Sequence, residues 1–245
     1  MTLVEHLEEL RGRLIKVVII LTISFFVCYG VGDQISELLL QPLRNALSGS
    51  GKDALGEVVY LGILDKVLSQ FQVAFWTSVI VSSPFWFYQL WKFIKPGLYE
   101  YEVKATRPFI FVGFIFFALG ICFGYFLVFP LTFETLMNFG VSDVTAQISL
   151  KEYLVLTSKV LVFLGFLFQL PNVLLILGFM GLVTKQSLRN MRRYVYVGFA
   201  VISAVLTPPD IITMMGLWIP LTFLFEIGIL AVSLIVHPYI ERQHG

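Results

Sequence analysis

Long apolar runs, separated by short charged or turn-forming stretches, set the pattern of this chain. A helix needs about 20 mainly apolar residues to cross the hydrocarbon core of a bilayer. Segments 14–32, 71–94, 109–129, 153–178 and 211–236 meet or approach that length, and 194–206 is a shorter one. The pattern predicts an all-α integral membrane protein with six transmembrane helices. Lysine and arginine fall unevenly between them. Twelve lie at the N-terminus, between the second and third spans, between the fourth and fifth, and in the C-terminal tail, against four in the alternate loops. That bias places both termini in the cytoplasm, and an odd number of spans would destroy it.

The remaining segments refine this single domain, 1–245. In residues 1–13, Leu3, Leu7, Leu10 and Leu14 share one helical stripe, and Thr2 with Glu5 has capping-box spacing. This predicts a short amphipathic helix at the cytoplasmic interface, leading into the first span. The outer loops 33–70 and 130–152 are long enough to carry short helices that cap the outer face. The last outer loop is only Thr207-Pro208-Pro209-Asp210. Thirteen residues in the fifth helix reach about 20 Å against a core of about 30 Å. The double proline ends that helix, and Pro220 disturbs the start of the sixth. The expected shape is a concave bundle with short helices five and six.

Composition agrees. The chain is 58% hydrophobic and 13% charged, whereas soluble domains are roughly 45–50% apolar and 25% charged. A net charge of +1 gives no global field toward nucleic acid. Cys28 and Cys122 both sit in apolar runs and read as small hydrophobes. No metal-ligand cluster, nucleophile elbow, P-loop or dinucleotide fingerprint is present, so neither a cofactor nor catalysis is expected. Trp76, Trp86 and Trp91 fit interfacial belts.

Two sets of polar residues stand out. Glu226 lies deep in the sixth span, Gln169 beside Pro171 midway along the fourth, and Lys159 about one and a half turns inside it. A charge at membrane depth costs roughly 2.5–3.5 kcal/mol, so Glu226 is expected to be protonated, paired or facing a protein-lined groove. Glu226 and Gln169 act either as interhelical glue or as a functional site. The second set is cytoplasmic: Glu8 and Glu9 beside the first span, Glu100 and Glu102 between the second and third. Carboxylates bind guanidinium through paired, charge-assisted bonds that lysine does not reproduce. The alternative is local pairing, such as Glu9 with Arg13 at i,i+4.

Several motifs resemble the TatC family of the twin-arginine protein translocase, from end to end and in order. They are His6-Leu7-Glu8-Glu9-Leu10-Arg11, Ser83-Pro84, the run Tyr88 to Leu98, Phe129-Pro130-Leu131, Leu206-Thr207-Pro208-Pro209-Asp210 and Phe225-Glu226-Ile227-Gly228. The resemblance implies a receptor for twin-arginine signal peptides of folded cargo. Such a receptor gathers single-span TatA- and TatB-type subunits and further copies of itself in a prokaryotic cytoplasmic membrane, for export driven by the proton-motive force. It implies no enzyme activity and no cofactor. By position, Glu9 and Glu102 would bind the signal's arginine pair, with Arg11, Phe93, Lys95 and Pro96 shaping the patch beside Glu8 and Glu100. Gln169, Glu226 and Thr207, Pro208, Pro209 and Asp210 would form the groove and partner-helix edge, and Pro42 would support the outer cap. Many relatives carry glutamate where this chain has Gln169. A secondary solute transporter with a midplane site at Gln169 and Glu226 is the competing reading, although no matching halves are visible.

Overall fold

The computed structural model describes residues 3–49, 58–95, 108–138, 147–207 and 210–236. Helix α1 is Leu3–Gly30, α2 Gly32–Gly49, α3 Asp65–Val81 and α4 Ser83–Ile94. Then follow α5 Pro108–Phe123, a π-helical turn Gly124–Val128, and α6 Phe129–Asn138. The rest comprises α7 Leu150–Leu167, α8 Leu170–Phe179, α9 Lys185–Leu206, α10 Ile211–Ala231 and a second π-helical turn, Val232–Val236. Two-residue strands β1 Val58–Val59 and β2 Ile148–Ser149 pair in parallel, Val58 with Ile148.

The six-span, all-α arrangement is present, with boundaries that differ from the sequence reading. Four helical stretches are long and apolar enough alone to cross a membrane: Leu7–Gly30, Ile110–Leu136, Leu150–Phe179 and Ile211–Val236. The amphipathic N-terminal stretch and the first span form one helix of 28 residues, about 42 Å long. The second span is two helices, α3 and α4, broken at Ser82. Pro84 lacks the N–H a continuous ladder needs, and the Trp86 indole donates to the Val79 carbonyl across the break at 2.9 Å. Trp91 is buried, and neither tryptophan is simply an interfacial anchor. The fourth span is likewise two helices, α7 and α8, meeting at Phe168–Gln169 before the buried Pro171.

The fifth helix is not short as a helix, with 22 residues, although its continuous apolar stretch, 194–206, is as short as the sequence predicts. Thr184 caps it by accepting from the Ser187 N–H, so the basic residues Lys185 to Arg193 are helical rather than loop. The sixth is not short either: α10 passes through Pro220 without a break and continues to Val236. Pro130 does not end the third span, because the π turn before it shifts the ladder and the Phe129 N–H reaches the Gly124 carbonyl.

The chain divides into two compact units, Met1–Lys95 with Cys122–Phe163, and Pro96–Ile121 with Leu164–Gly245. In the first, α1 packs on α3 and α4, and α2 on α3 and α6. The Phe25 and Phe71 ring centroids lie 5.5 Å apart, so late α1 meets early α3 and the two helices are antiparallel. Lys151 Nζ bonds Asp65 Oδ1 at 2.8 Å where α7 and α3 begin. The Lys151 hydrogen bond, then that from the Gly62 N–H, holds the Asp65 carboxyl below its ordinary value. The lowered value keeps Asp65 ionised, and the pair intact, at neutral pH.

Pro42 lies inside α2. Proline inside a helix leaves the carbonyl four residues back without a donor. That carbonyl, on Leu38, accepts from the Tyr125 hydroxyl at 2.8 Å. The next, on Leu39, accepts from the buried Tyr153 hydroxyl at 2.7 Å. Two tyrosines distant in sequence therefore tie this part of α2 to the π turn and to α7. Tyr153→Phe is expected to cost about 0.5–1.5 kcal/mol, because it removes a buried hydrogen bond. A lowered melting temperature of the purified protein, with no change in helix content, would show it.

In the second unit, α8 and α9 pack on α10. Its core includes Leu174, Leu175, Phe179, Leu217, Leu221, Phe225 and Ile229, all buried. Glycines permit close helix approach, as small residues do in membrane bundles. A Cβ on Gly120 would stand 2.7 Å from the Leu164 carbonyl oxygen, and one on Gly228 would stand 2.6 Å from Leu174 Cδ1.

Candidate functional site

In the first unit, Glu8, Glu9, Arg11 and Arg13 occupy the early turns of α1. Because α1 runs antiparallel to α3 and packs on α4, that end lies alongside the end of α4 that carries Lys92, Phe93 and Lys95. Glu8, Arg11 and Lys95 are exposed, and Glu9 and Phe93 are half-buried. Glu9 makes the expected i,i+4 pair. Arg13 Nε donates to its Oε1 at 2.9 Å, and Arg13 Nη2 bonds the same oxygen. Glu9 Oε2 is bonded to no described residue. Lys92 Nζ stands 4.4 Å from the Tyr88 ring centroid. Pro96, Glu100 and Glu102, also expected at this patch, lie outside the described residues.

In the second unit, Gln169 is buried, and its Nε2 donates to the Gly113 carbonyl on α5 at 2.8 Å. Only a donor satisfies a carbonyl, and glutamine always has one, whereas a carboxyl group has one only when protonated. This is a physical reason for an amide here. Gln169→Glu is accordingly expected to destabilise the fold by about 1–3 kcal/mol at neutral pH, and by less in acid, where the carboxyl can donate. Melting temperatures at pH 5 and pH 8 measure the difference.

Glu226 is paired. Arg192 Nη2 bonds one carboxylate oxygen and the Tyr196 hydroxyl donates to the other. The Trp218 indole donates to the Tyr196 carbonyl at 2.9 Å. Tyr196 stands edge-on to Trp218 and to Phe225. Ion pair and rings together clamp α9 to α10. Sequence reasoning named Glu226 and missed Arg192 and Tyr196. The signal lay in their spacing: Arg192 and Tyr196 are one helical turn apart, so both can reach one carboxylate.

The turn between these helices is accounted for by its caps. Thr207 is extended, as a residue before proline prefers, and its hydroxyl donates to the Ser203 carbonyl at 2.8 Å. Asp210 begins α10, its Oδ2 accepting from the Thr213 N–H at 3.0 Å. Pro208 and Pro209 lie outside the described residues. Among the described residues no group of three or more histidine, cysteine, aspartate or glutamate side chains is placed to hold a metal ion.

Comparison with known proteins agrees with this architecture. The sequence matches the family described as Sec-independent protein translocase protein (TatC) over residues 5–220. The TatC of Desulforapulum autotrophicum is 36% identical over 226 residues, covering 92% of this chain and 82% of that protein. The TatC of Magnetococcus marinus is 37% identical over 227 residues, covering 93% and 82%. Among solved structures, a crystal structure of the twin arginine translocase receptor TatC superposes with a TM-score of 0.79 at 31% identity. It covers 94% of this chain and 99% of that one.

Proposed function

Because the chain belongs to the TatC family of Sec-independent protein translocase proteins, we propose that it is the signal-peptide receptor of a twin-arginine translocase. The observation that carries this is the likeness over most of the chain, in sequence to proteins named Sec-independent protein translocase protein TatC and in fold to a twin arginine translocase receptor. In this reading the protein lies in a prokaryotic cytoplasmic membrane with both termini in the cytoplasm. It recruits TatA- and TatB-type single-span subunits and other copies of itself, and it performs no catalysis of its own.

The recognition site of this proposal is the patch at the start of α1 and the end of α4. Glu9 is pre-oriented by Arg13, which uses only Oε1, so Oε2 is available to an incoming guanidinium. Glu102 supplies the second carboxylate, and Glu8 and Glu100 add negative potential. Arg11, Phe93, Lys95 and Pro96 shape the surroundings. Two carboxylates flanked by basic side chains select guanidinium over ammonium by planar, two-pronged geometry rather than by charge alone. The α9–α10 hairpin, with Thr207, Pro208, Pro209 and Asp210 at its turn, is the edge offered to a partner helix. Gln169 and Glu226 both spend their polar atoms on internal bonds, which counts against a solute site built on them.

Photocrosslinking tests the location. With a photoreactive amino acid at Phe93 or Leu7, a twin-arginine signal peptide is expected to crosslink, and one at Val201 on α9 is not. Equal labelling at all three positions, or none at Phe93 and Leu7, would move the site elsewhere.

A further inference from the structure

Within the first unit, a groove of about 890 Å³ opens between α1 and α3. Its walls include Val18, Phe25, Phe71, Phe75 and Trp76, with Thr22, Gln72, Ser78 and Lys159 as polar members. The two hydroxyls are already engaged within their own helices. Thr22 donates to the Val18 carbonyl at 2.8 Å and Ser78 to the Phe75 carbonyl at 2.6 Å. Gln72 and Lys159 have no hydrogen-bond partner among the described residues.

Their height is fixed by the ion pair above them. Asp65 and Lys151 touch where α3 and α7 begin. Gln72 lies seven residues below Asp65 and Lys159 eight below Lys151, so both are about 10–12 Å deeper at 1.5 Å per residue. An amide and an ammonium therefore stand at one level in an apolar groove, and the apolar lining continues past them toward Trp76. Lys159 stands nine residues into α7, about 13 Å from its start. Its long stem lets the charge reach back toward the interface.

We propose that this groove is a lipid site: it holds an acyl chain of an anionic phospholipid whose headgroup phosphate sits on Lys159 and Gln72. The charge on Lys159 calls for an anion, and the aromatic walls call for an alkyl chain. The size argues against a partner helix. A cylinder about 10 Å across fills this volume in about two turns, whereas small-molecule sites occupy roughly 300–1,000 Å³.

Trp76 reports occupancy directly. The full chain is placed in nanodiscs, and quenching by bromine on the acyl chains is compared for phosphatidylglycerol and phosphatidylcholine. Subtracting the signal of Trp76→Phe isolates Trp76 from the other tryptophans. Phosphatidylglycerol is expected to quench Trp76 at about fivefold lower mole fraction, the advantage of one lysine facing an anionic lipid. Lys159→Met should erase that advantage and leave melting unchanged, and Lys159→Arg should keep it. Equal quenching by the two lipids in wild type, or an unchanged preference in Lys159→Met, overturns the proposal. So does a TatA- or TatB-type helix that crosslinks to Trp76 and prevents quenching by either lipid, since the groove would then be a protein interface.

Discussion

Arg192→Met is expected to loosen the α9–α10 hairpin by about 2–3 kcal/mol. Breaking a buried ion pair from one side costs about 3–5 kcal/mol, because it leaves an unpaired charge. The side chains of Arg192 and Glu226 are 39% and 28% exposed, so the loss falls at or below the lower end of that range. The carboxylate is not free to turn wholly to water, since it is also held by Tyr196, whose ring packs edge-on against Trp218 and Phe225. The companion experiment separates charge from packing. Arg192→Met combined with Glu226→Gln removes both charges but keeps the Tyr196 bond, and should recover most of the lost melting temperature. If the double variant is as unstable as the single one, the arginine acts through packing and the ion-pair account fails.

The second large effect is on binding. Glu9→Ala and Glu102→Ala should each weaken a twin-arginine peptide by roughly ten- to a hundredfold, as expected for a lost charge-assisted hydrogen bond of about 1.5–3 kcal/mol. Melting should barely move for Glu9→Ala, because its pair with Arg13 lies on one helix surface and is worth about 0.3–0.5 kcal/mol. Titration of a labelled peptide into nanodiscs gives the affinity, and a thermal melt of the same sample gives the control. A binding loss matched by an equal stability loss would mean that Glu9 only supports the helix.

What the sequence could reveal depended on range. The spans were legible because apolar length is a local property. The breaks at Ser82 and Gln169 were not, since Ser-Pro and Leu-Pro inside an apolar run are compatible with either a kink or a continuous helix. The basic start of α9 resembles a loop between spans, although arginine and lysine are good helix formers and Thr184 is a good cap. The bonds beside Pro42 are invisible in the sequence, because Tyr125 and Tyr153 are far away in the chain. Arg192 was counted as a topogenic charge, and only the packing of α9 on α10 shows it as the partner of Glu226.

Guanidinium-selective recognition is decided by the affinity of two labelled signal peptides, Arg-Arg and Lys-Lys at the same positions, for the wild-type protein in nanodiscs. Arg-Arg is expected to bind at least tenfold more tightly, since ammonium keeps the charge but loses the two-pronged geometry. Equal affinities would contradict it.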